Sequence, residues 1–164
     1  MTDLLPATSD FQSRAESAFQ VLTTAATKIW SLPLQQCNLR IESTSPSPTP
    51  SITFRLTITA EMLNGGGALH GGCASTLIDD LTTVFLAAVS RPGLYSQYGV
   101  TRNIRVAFFE PLVKGGDVRV VCGIEHVGRR LVLLGARVYD ARGRICVMGE
   151  NEKVNTDSKV KAAL

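Results

Sequence analysis

Charge is scarce in this chain: Lys, Arg, Asp and Glu together make up 19% of its 164 residues, against 45% hydrophobic residues, and the net charge is only +3. No run of Lys and Arg is interleaved with aromatics, which are themselves few at 6%. A nucleic-acid groove is therefore not expected, although the mildly basic balance leaves room for a small anionic ligand. Apolar abundance with little charge suits a protein that buries surface in an oligomer as well as in its own core. The length is that of one domain with a sizeable core.

Cysteine is present but unpatterned. Cys37, Cys73, Cys122 and Cys146 form neither a C-x-x-C pair nor a zinc spacing, so no metal site is expected and the four read as isolated buried thiols of a reducing compartment. Long hydrophobic runs are missing too. The apolar segment from Leu77 to Val89 is interrupted by Asp79, Asp80, Thr82 and Thr83 and is too short for a membrane span. The start of the chain lacks the charged-then-apolar order of a signal peptide, and Asp3, Asp10 and Glu16 argue against an Arg-rich transit segment. A cytosolic protein is the expectation, with mitochondria as the open alternative.

What is present is periodic. Phe11, Ala15, Phe19, Leu22, Ala26 and Ile29 recur at helical spacing, predicting a helix from Ala7 to about Trp30 that Ser9 or Asp10 caps and Pro33 ends. Strands are predicted from about Cys37 to Ser43 and from Ser51 to Ala60, joined by the proline-rich "TSPSPTP" into a hairpin. A second helix runs from Gly71 to about Ser90, apolar almost all round and so wrapped by something. Four strands follow, at about Val100–Glu110, Val118–His126, Arg130–Asp140 and Arg144–Lys153, separated by glycine-bearing turns. The pattern predicts an α+β fold in which one sheet curls around one long helix. The polar tail from Asn155 is expected to fray.

Before the second helix, Gly65 to Gly72 holds five glycines in eight residues. Glycines at a helix entrance let a ligand approach the backbone, and the first N–H groups of the helix point outward with the positive end of its dipole behind them. A developing negative oxygen would be stabilised there, although a plain tight turn has the same composition. No Gly-Lys-Ser or Gly-Lys-Thr follows, which excludes a P-loop. Asn64 opens the loop, His70 closes it, and Asp79 stands nine residues beyond His70 inside the helix. Asp79 and Asp80 differ by about 100° around the helix, so only one can aim at a given site.

Asn64, His70-Gly71-Gly72 and Asp79, within "LHGGCASTLIDD", resemble the motif of the PaaI-like acyl-CoA thioesterases of the hotdog superfamily. The likeness extends through "GVTRNIRVAFFEPLVKGGDV" and "VGRRLVLLGARVYDARGRICVMGE", over roughly residues 36 to 153. It implies a hotdog domain over 35–155, preceded by an N-terminal helical extension over 1–34 and followed by a polar tail over 156–164. It also implies hydrolysis of an acyl-CoA thioester, with coenzyme A as part of the substrate and no metal or redox cofactor. In that family the backbone N–H matching Gly71 polarises the thioester carbonyl, and the asparagine matching Asn64 helps to bind the carbonyl or the water. The acid matching Asp79, rather than Asp80, serves as base or nucleophile, and the hydroxyl matching Thr101 supports the water. His70 is assigned a supporting role, orienting Asn64 or the loop. Gly72, His126, Gly128, Arg129 and Arg130 correspond to positions that contact coenzyme A, with Lys114 as a further basic candidate; Arg102 and Arg105 alternate with Thr101 and are candidates for the site or for a subunit contact. Leu81, Phe85, Phe108 and Phe109 are candidates for the acyl pocket wall.

Spacing gives an independent reason to expect an oligomer. Asp79 stands about 12 Å along the helix axis from Gly71, too far to share one carbonyl. A second copy running antiparallel would bring its own Asp79 to the first copy's Gly71 and create two equal sites by twofold symmetry. The family resemblance implies such a shared-site homodimer, often doubled to a homotetramer. Two rival readings remain: a hotdog dehydratase or hydratase, and a non-catalytic acyl-CoA-binding protein of the same fold.

Overall fold

The computed structural model describes residues 8–25 and 37–157. Helix α1 (Thr8–Ala25) buries Phe11 and Ala15 completely, four residues apart on one face. Asp10 lies inside its first turn, where a negative charge meets the positive end of the helix, rather than at a cap. The expected start at Ala7, the predicted helical residues from Ala26 to Trp30 and the stop at Pro33 lie outside the described residues.

Six strands follow: β1 (Arg40–Ser45), β2 (Ser51–Thr57), β3 (Val100–Phe108), β4 (Asp117–Val127), β5 (Leu131–Tyr139) and β6 (Ile145–Val154). They form one antiparallel sheet in the order β1-β2-β4-β5-β6-β3, with β3 and β1 at its edges. β2 ends at Thr57 rather than continuing to Ala60, because the chain turns into a short 3-10 helix over Ala60–Met62. At the other end of the hairpin, β1 starts only at Arg40, after Asn38 takes a positive φ of 52°.

Helix α2 (Gly71–Val89) packs across this sheet from β2 to β6, as its all-round apolar composition required. Ile52, Phe54 and Leu56 of β2 and Leu134 and Ala136 of β5 are fully buried, as are Leu81 and Phe85 of α2. Each such aliphatic or aromatic side chain contributes about 1.5–3 kcal/mol by leaving water. By length and composition α2 could cross a membrane, but 61% of its apolar window is buried within the fold. α1 closes the open side of α2: Phe11 meets Phe85 edge-on at 6.4 Å, and Arg14 donates to the carbonyl oxygens of Ala87 (3.0 Å) and Ser90. Those carbonyls belong to the last turn of α2 and its cap, where intrahelical partners run out.

A close approach to β6 sets where α2 sits. Ile78 lies so close to β6 that a Cβ built on Gly149 would stand 2.5 Å from its Cδ1, so only glycine allows this approach. Alternation along β6 then turns Val147, Gly149, Asn151 and Lys153 toward the helix, and Asn151 and Lys153 are 0% and 3% exposed.

The start of the polar tail does not fray. Asn155 and Asp157 are 3% and 5% exposed and bind the loop between α2 and β3. Asp157 accepts from the Ser96 N–H (3.0 Å), the Ser96 hydroxyl (3.0 Å) and the Gln97 N–H (3.3 Å). Asn155 accepts from the Tyr95 N–H (3.2 Å) and holds that tyrosine in the left-handed region at φ 61°, which bulky residues rarely adopt. Asp157→Ala is expected to destabilise the protein by about 1–3 kcal/mol by orphaning these donors, measured by urea unfolding; an unchanged midpoint would show the tether to be dispensable. Residues 158–164 lie outside the described residues.

Candidate active site

The glycine-rich loop is a pinned structure. Asn64 donates its N–H to the Ala68 carbonyl (2.8 Å), and its side-chain Oδ1 accepts from the N–H groups of Gly66 (2.8 Å) and Ala68 (3.2 Å). Gly67 turns the chain with φ 79°, a conformation glycine adopts without strain. The Leu69 N–H donates to Leu112 and the His70 N–H to Met62, both at 2.8 Å. Asn64 thus spends its oxygen on the loop, and its Nδ2 group makes no hydrogen bond among the described residues.

His70 does not bond Asn64. It is the N-cap of α2: its Nδ1 accepts the Gly72 N–H at 3.0 Å. An accepting Nδ1 carries no proton, which places the proton of the neutral ring on Nε2. The same bond occupies the backbone donor of Gly72, expected to contact coenzyme A. The Gly71 N–H, one residue earlier, has no acceptor among the described residues and lies at the positive end of α2. Gly71 and Asn64 line a cleft of about 400 Å³ whose wall includes Ala68, Phe108, Phe109 and Pro111. Phe108 and Phe109 are 52% and 56% exposed, whereas Leu81 and Phe85, also expected at the pocket wall, are fully buried in the core.

Asp79 sits elsewhere. Its Oδ1 accepts from the Thr101 hydroxyl at 2.7 Å, from Asn151 Nδ2 at 2.9 Å and from Lys153 Nζ at 3.0 Å. Lys153 also donates to Thr101 Oγ1 (2.8 Å), and Asn151 Nδ2 to Thr82 Oγ1 (2.9 Å). The carboxylate is therefore one end of a salt bridge whose lysine is 4% exposed and whose acid side chain is 36% exposed. Burial pushes the Asp79 pKa up, but the Thr101 hydrogen bond, the Lys153 charge and the remaining donors outweigh it and hold the carboxyl below its ordinary value. No donor among the described residues reaches Oδ2.

The sequence singled out Asp79 and Thr101, and the structure joins them, but Asn151 and Lys153 were missed. The signal was available: once Val147 is placed facing inward, period-2 alternation puts Gly149, Asn151 and Lys153 on the same face. Two polar residues in a row at core positions of a strand call for a partner.

The two groups of site residues lie at opposite ends of the same strands. Phe108, beside Gly71, pairs with Val147, whereas Thr101 pairs with Lys153. Six residues of strand separate the pairs, about 20 Å. His126, Gly128, Arg129 and Arg130 form the β4–β5 hairpin at the Asp79 end, where Leu131 pairs with Val154. The side chains of His126, Arg129 and Arg130 are exposed, and the hairpin backbone is fixed by Tyr95 Oη donating to the Gly128 carbonyl and by Asn155 donating to that of Arg129. Arg102 and Arg105 point outward and pair with Glu152 (3.4 Å) and Glu150 (3.6 Å), and Lys114 is exposed in the turn beyond the cleft. The four cysteines form no disulfide, and the described residues hold no His, Cys, Asp and Glu grouping suited to a metal ion.

A family model, that of the thioesterase superfamily, matches residues 66–147. Human acyl-coenzyme A thioesterase 13 is 24% identical over 103 residues, covering 62% of this chain and 71% of its own. Zebrafish thioesterase superfamily member 2 superposes with a TM-score of 0.73 at 20% identity, over 86% of this chain and 97% of its own. The PaaI protein of the Escherichia coli phenylacetic acid degradation operon superposes with a TM-score of 0.63 at 16% identity, over 87% and 95%.

Proposed function

Because this chain belongs to the thioesterase superfamily and has its hotdog fold, we propose that it hydrolyses acyl-CoA thioesters in sites shared between two copies. One observation carries the reading. The polarising group, at Gly71 and Asn64, and the carboxylate group, at Asp79 and Thr101, stand about 12 Å apart along α2 of one chain, beside opposite ends of β3 and β6. β3 is an edge strand with Val100 and Phe108 60% and 52% exposed, an arrangement that invites pairing. Antiparallel pairing of two β3 strands about Ile104 sets the Thr101 end of each against the Phe108 end of the other. The two halves then meet twice.

In the joined site the thioester carbonyl oxygen accepts from the Gly71 N–H, with Asn64 Nδ2 as a second donor, and negative charge builds on it as the carbonyl carbon is attacked. The partner's Asp79 takes a proton from water through Oδ2 while the water oxygen bonds to that carbon. Collapse of the tetrahedral intermediate breaks the C–S bond. Coenzyme A leaves and takes up the proton, and the free acid remains. In this reading the exposed hairpin at the carboxylate end, with His126, Arg129 and Arg130, meets the phosphates of the leaving coenzyme.

The test is release of free thiol from short, long and aromatic acyl-CoAs. At least one member is expected to reach a kcat/KM of about 10⁴ M⁻¹ s⁻¹ or more. Tight coenzyme A binding with no thiol release from any member would instead favour an acyl-CoA-binding protein that lacks the chemistry.

A further inference from the structure

Lys153 has no part in the mechanism as set out so far, yet it is almost wholly buried and its Nζ reaches both Asp79 and Thr101. A buried lysine is rare. An ion pair of this kind is a poor structural device, since well-packed apolar residues of the same volume commonly serve stability as well or better. The neighbouring amide points the same way. Asn151 turns Nδ2 to Asp79 and Thr82 and leaves its own buried Oδ1 without a partner. Turned over, it would present an oxygen to the carboxylate.

We propose that Lys153 is a positioning residue of the hydrolytic site: together with Thr101 and Asn151 it captures Oδ1 of Asp79, so that Oδ2 alone is presented, as an anion, to the substrate bound at the partner copy. The proposal rests on the reading of Asp79 as the group that activates water. Three donors on one oxygen fix the carboxylate plane, and the lysine charge keeps the group from taking up a proton before water offers one. The elements packed around Asp79 supply no other compensating charge among the described residues. β3 contributes Thr101 on this face, while its Arg102 and Arg105 turn outward to Glu152 and Glu150. β5 contributes the apolar Val132, the cross-strand partner of Lys153. On α2 itself, Thr82 and Thr83 bond backbone carbonyls, and Asp80, of the same charge as Asp79, stands about 100° further round the helix.

The experiment is the pH dependence of thiol release by Lys153→Met and Lys153→Arg, with Asp79→Asn beside them. Methionine keeps the unbranched stem and removes the charge. Lys153→Met is expected to lower kcat about 10- to 100-fold by releasing the carboxylate from its geometry, with KM held. Its acid limb is expected to move to higher pH by about one unit or more, because the opposite charge that stabilised the anion has gone. Lys153→Arg is expected to keep the limb at its wild-type position. A folded Lys153→Met with wild-type kcat and an unmoved limb overturns the proposal.

A titration of the Asp79 carboxyl carbon by NMR in the wild type, assigned by its loss in Asp79→Asn, tests the clamp without relying on turnover or on the folding of the lysine variant. Titration below the ordinary aspartate range supports the proposal, and titration within that range overturns it. Full hydrolysis by Asp79→Asn would instead remove the water-activating role itself, a failure that is separately visible.

Discussion

Asp79→Asn is expected to lower kcat for acyl-CoA hydrolysis by about 10²–10⁴-fold, the range set by loss of a positioned general base. Asparagine preserves the shape and still offers Oδ1 to Thr101 and Lys153, but its other atom is a donor and cannot take a proton from water. KM is expected to stay close to wild type, since the carbonyl donors proposed at Gly71 and Asn64 stand about 12 Å from Asp79 along α2 and keep their own contacts. The substitution leaves Lys153 buried beside a neutral group, so Tm falls as well, and the kinetics belong at a temperature where circular dichroism shows the variant folded.

Linkage gives a second readout of the same variant. The folded-state pKa of Asp79 is depressed, so its stabilising contribution is complete above the unfolded aspartate pKa and disappears as pH falls through the lower folded value. That part of the acid-side loss of Tm should be absent from Asp79→Asn. The proposed sharing of each site between two copies adds a sharper test. When Asp79→Asn and Asn64→Ala chains are refolded together, random pairing makes about half of the dimers mixed, each with one intact site, so about a quarter of wild-type activity should return. No recovery in a verified mixture would place both groups in one chain.

Gly149→Val is expected to destabilise the protein by about 3 kcal/mol, the upper end of the range for overpacking a core. A Cβ at position 149 would approach Ile78 Cδ1, Cγ2 and Cγ1 at 2.5, 2.8 and 2.9 Å, so the whole β-branched side chain is in the way rather than one flexible tip. Ile78 is 1% exposed and has no open space to rotate into. Relief has to come from α2 lifting off β6, and Asp79 is the next residue on that helix. The variant should therefore lose activity beyond its loss of stability, because the 3.0 Å contact with Lys153 depends on the same approach. Ile78→Ala in the Gly149→Val background should cost less than the two changes summed, which urea denaturation of the four proteins of the cycle measures. Additive effects would mean that the helix is not seated by this contact.

Local pattern carried most of the fold. The alternation of Val118, Val120 and Cys122 is a property of β4 alone, and the apolar girth of α2 states by itself that something must surround it. Strand adjacency is different in kind. β3 and β4 are neighbours in sequence yet do not pair, and β3 lies beside β6, about forty residues on. Nothing in residues 100–108 names that partner, because backbone hydrogen bonds are alike for every strand.

The site divides along the same line. Loop glycines and an acid within an apolar helix are costly choices that show in one dimension, but Asn64, Gly71 and Asp79 were assigned roles only through the resemblance to the PaaI-like thioesterases. Lys153 and Asn151 read as ordinary polar residues near a chain end, and Asp157 as part of a fraying tail. Sequence by itself determined the elements, the helix that had to be wrapped, the loop with a free amide and the acid in the helix. Tertiary structure alone decided that this acid meets a buried lysine 74 residues away and that the amide and the acid lie at opposite ends of the same strands. The physical reason is that a contact between distant residues is set by how the sheet closes on the helix, and closure is a property of the whole core rather than of any segment.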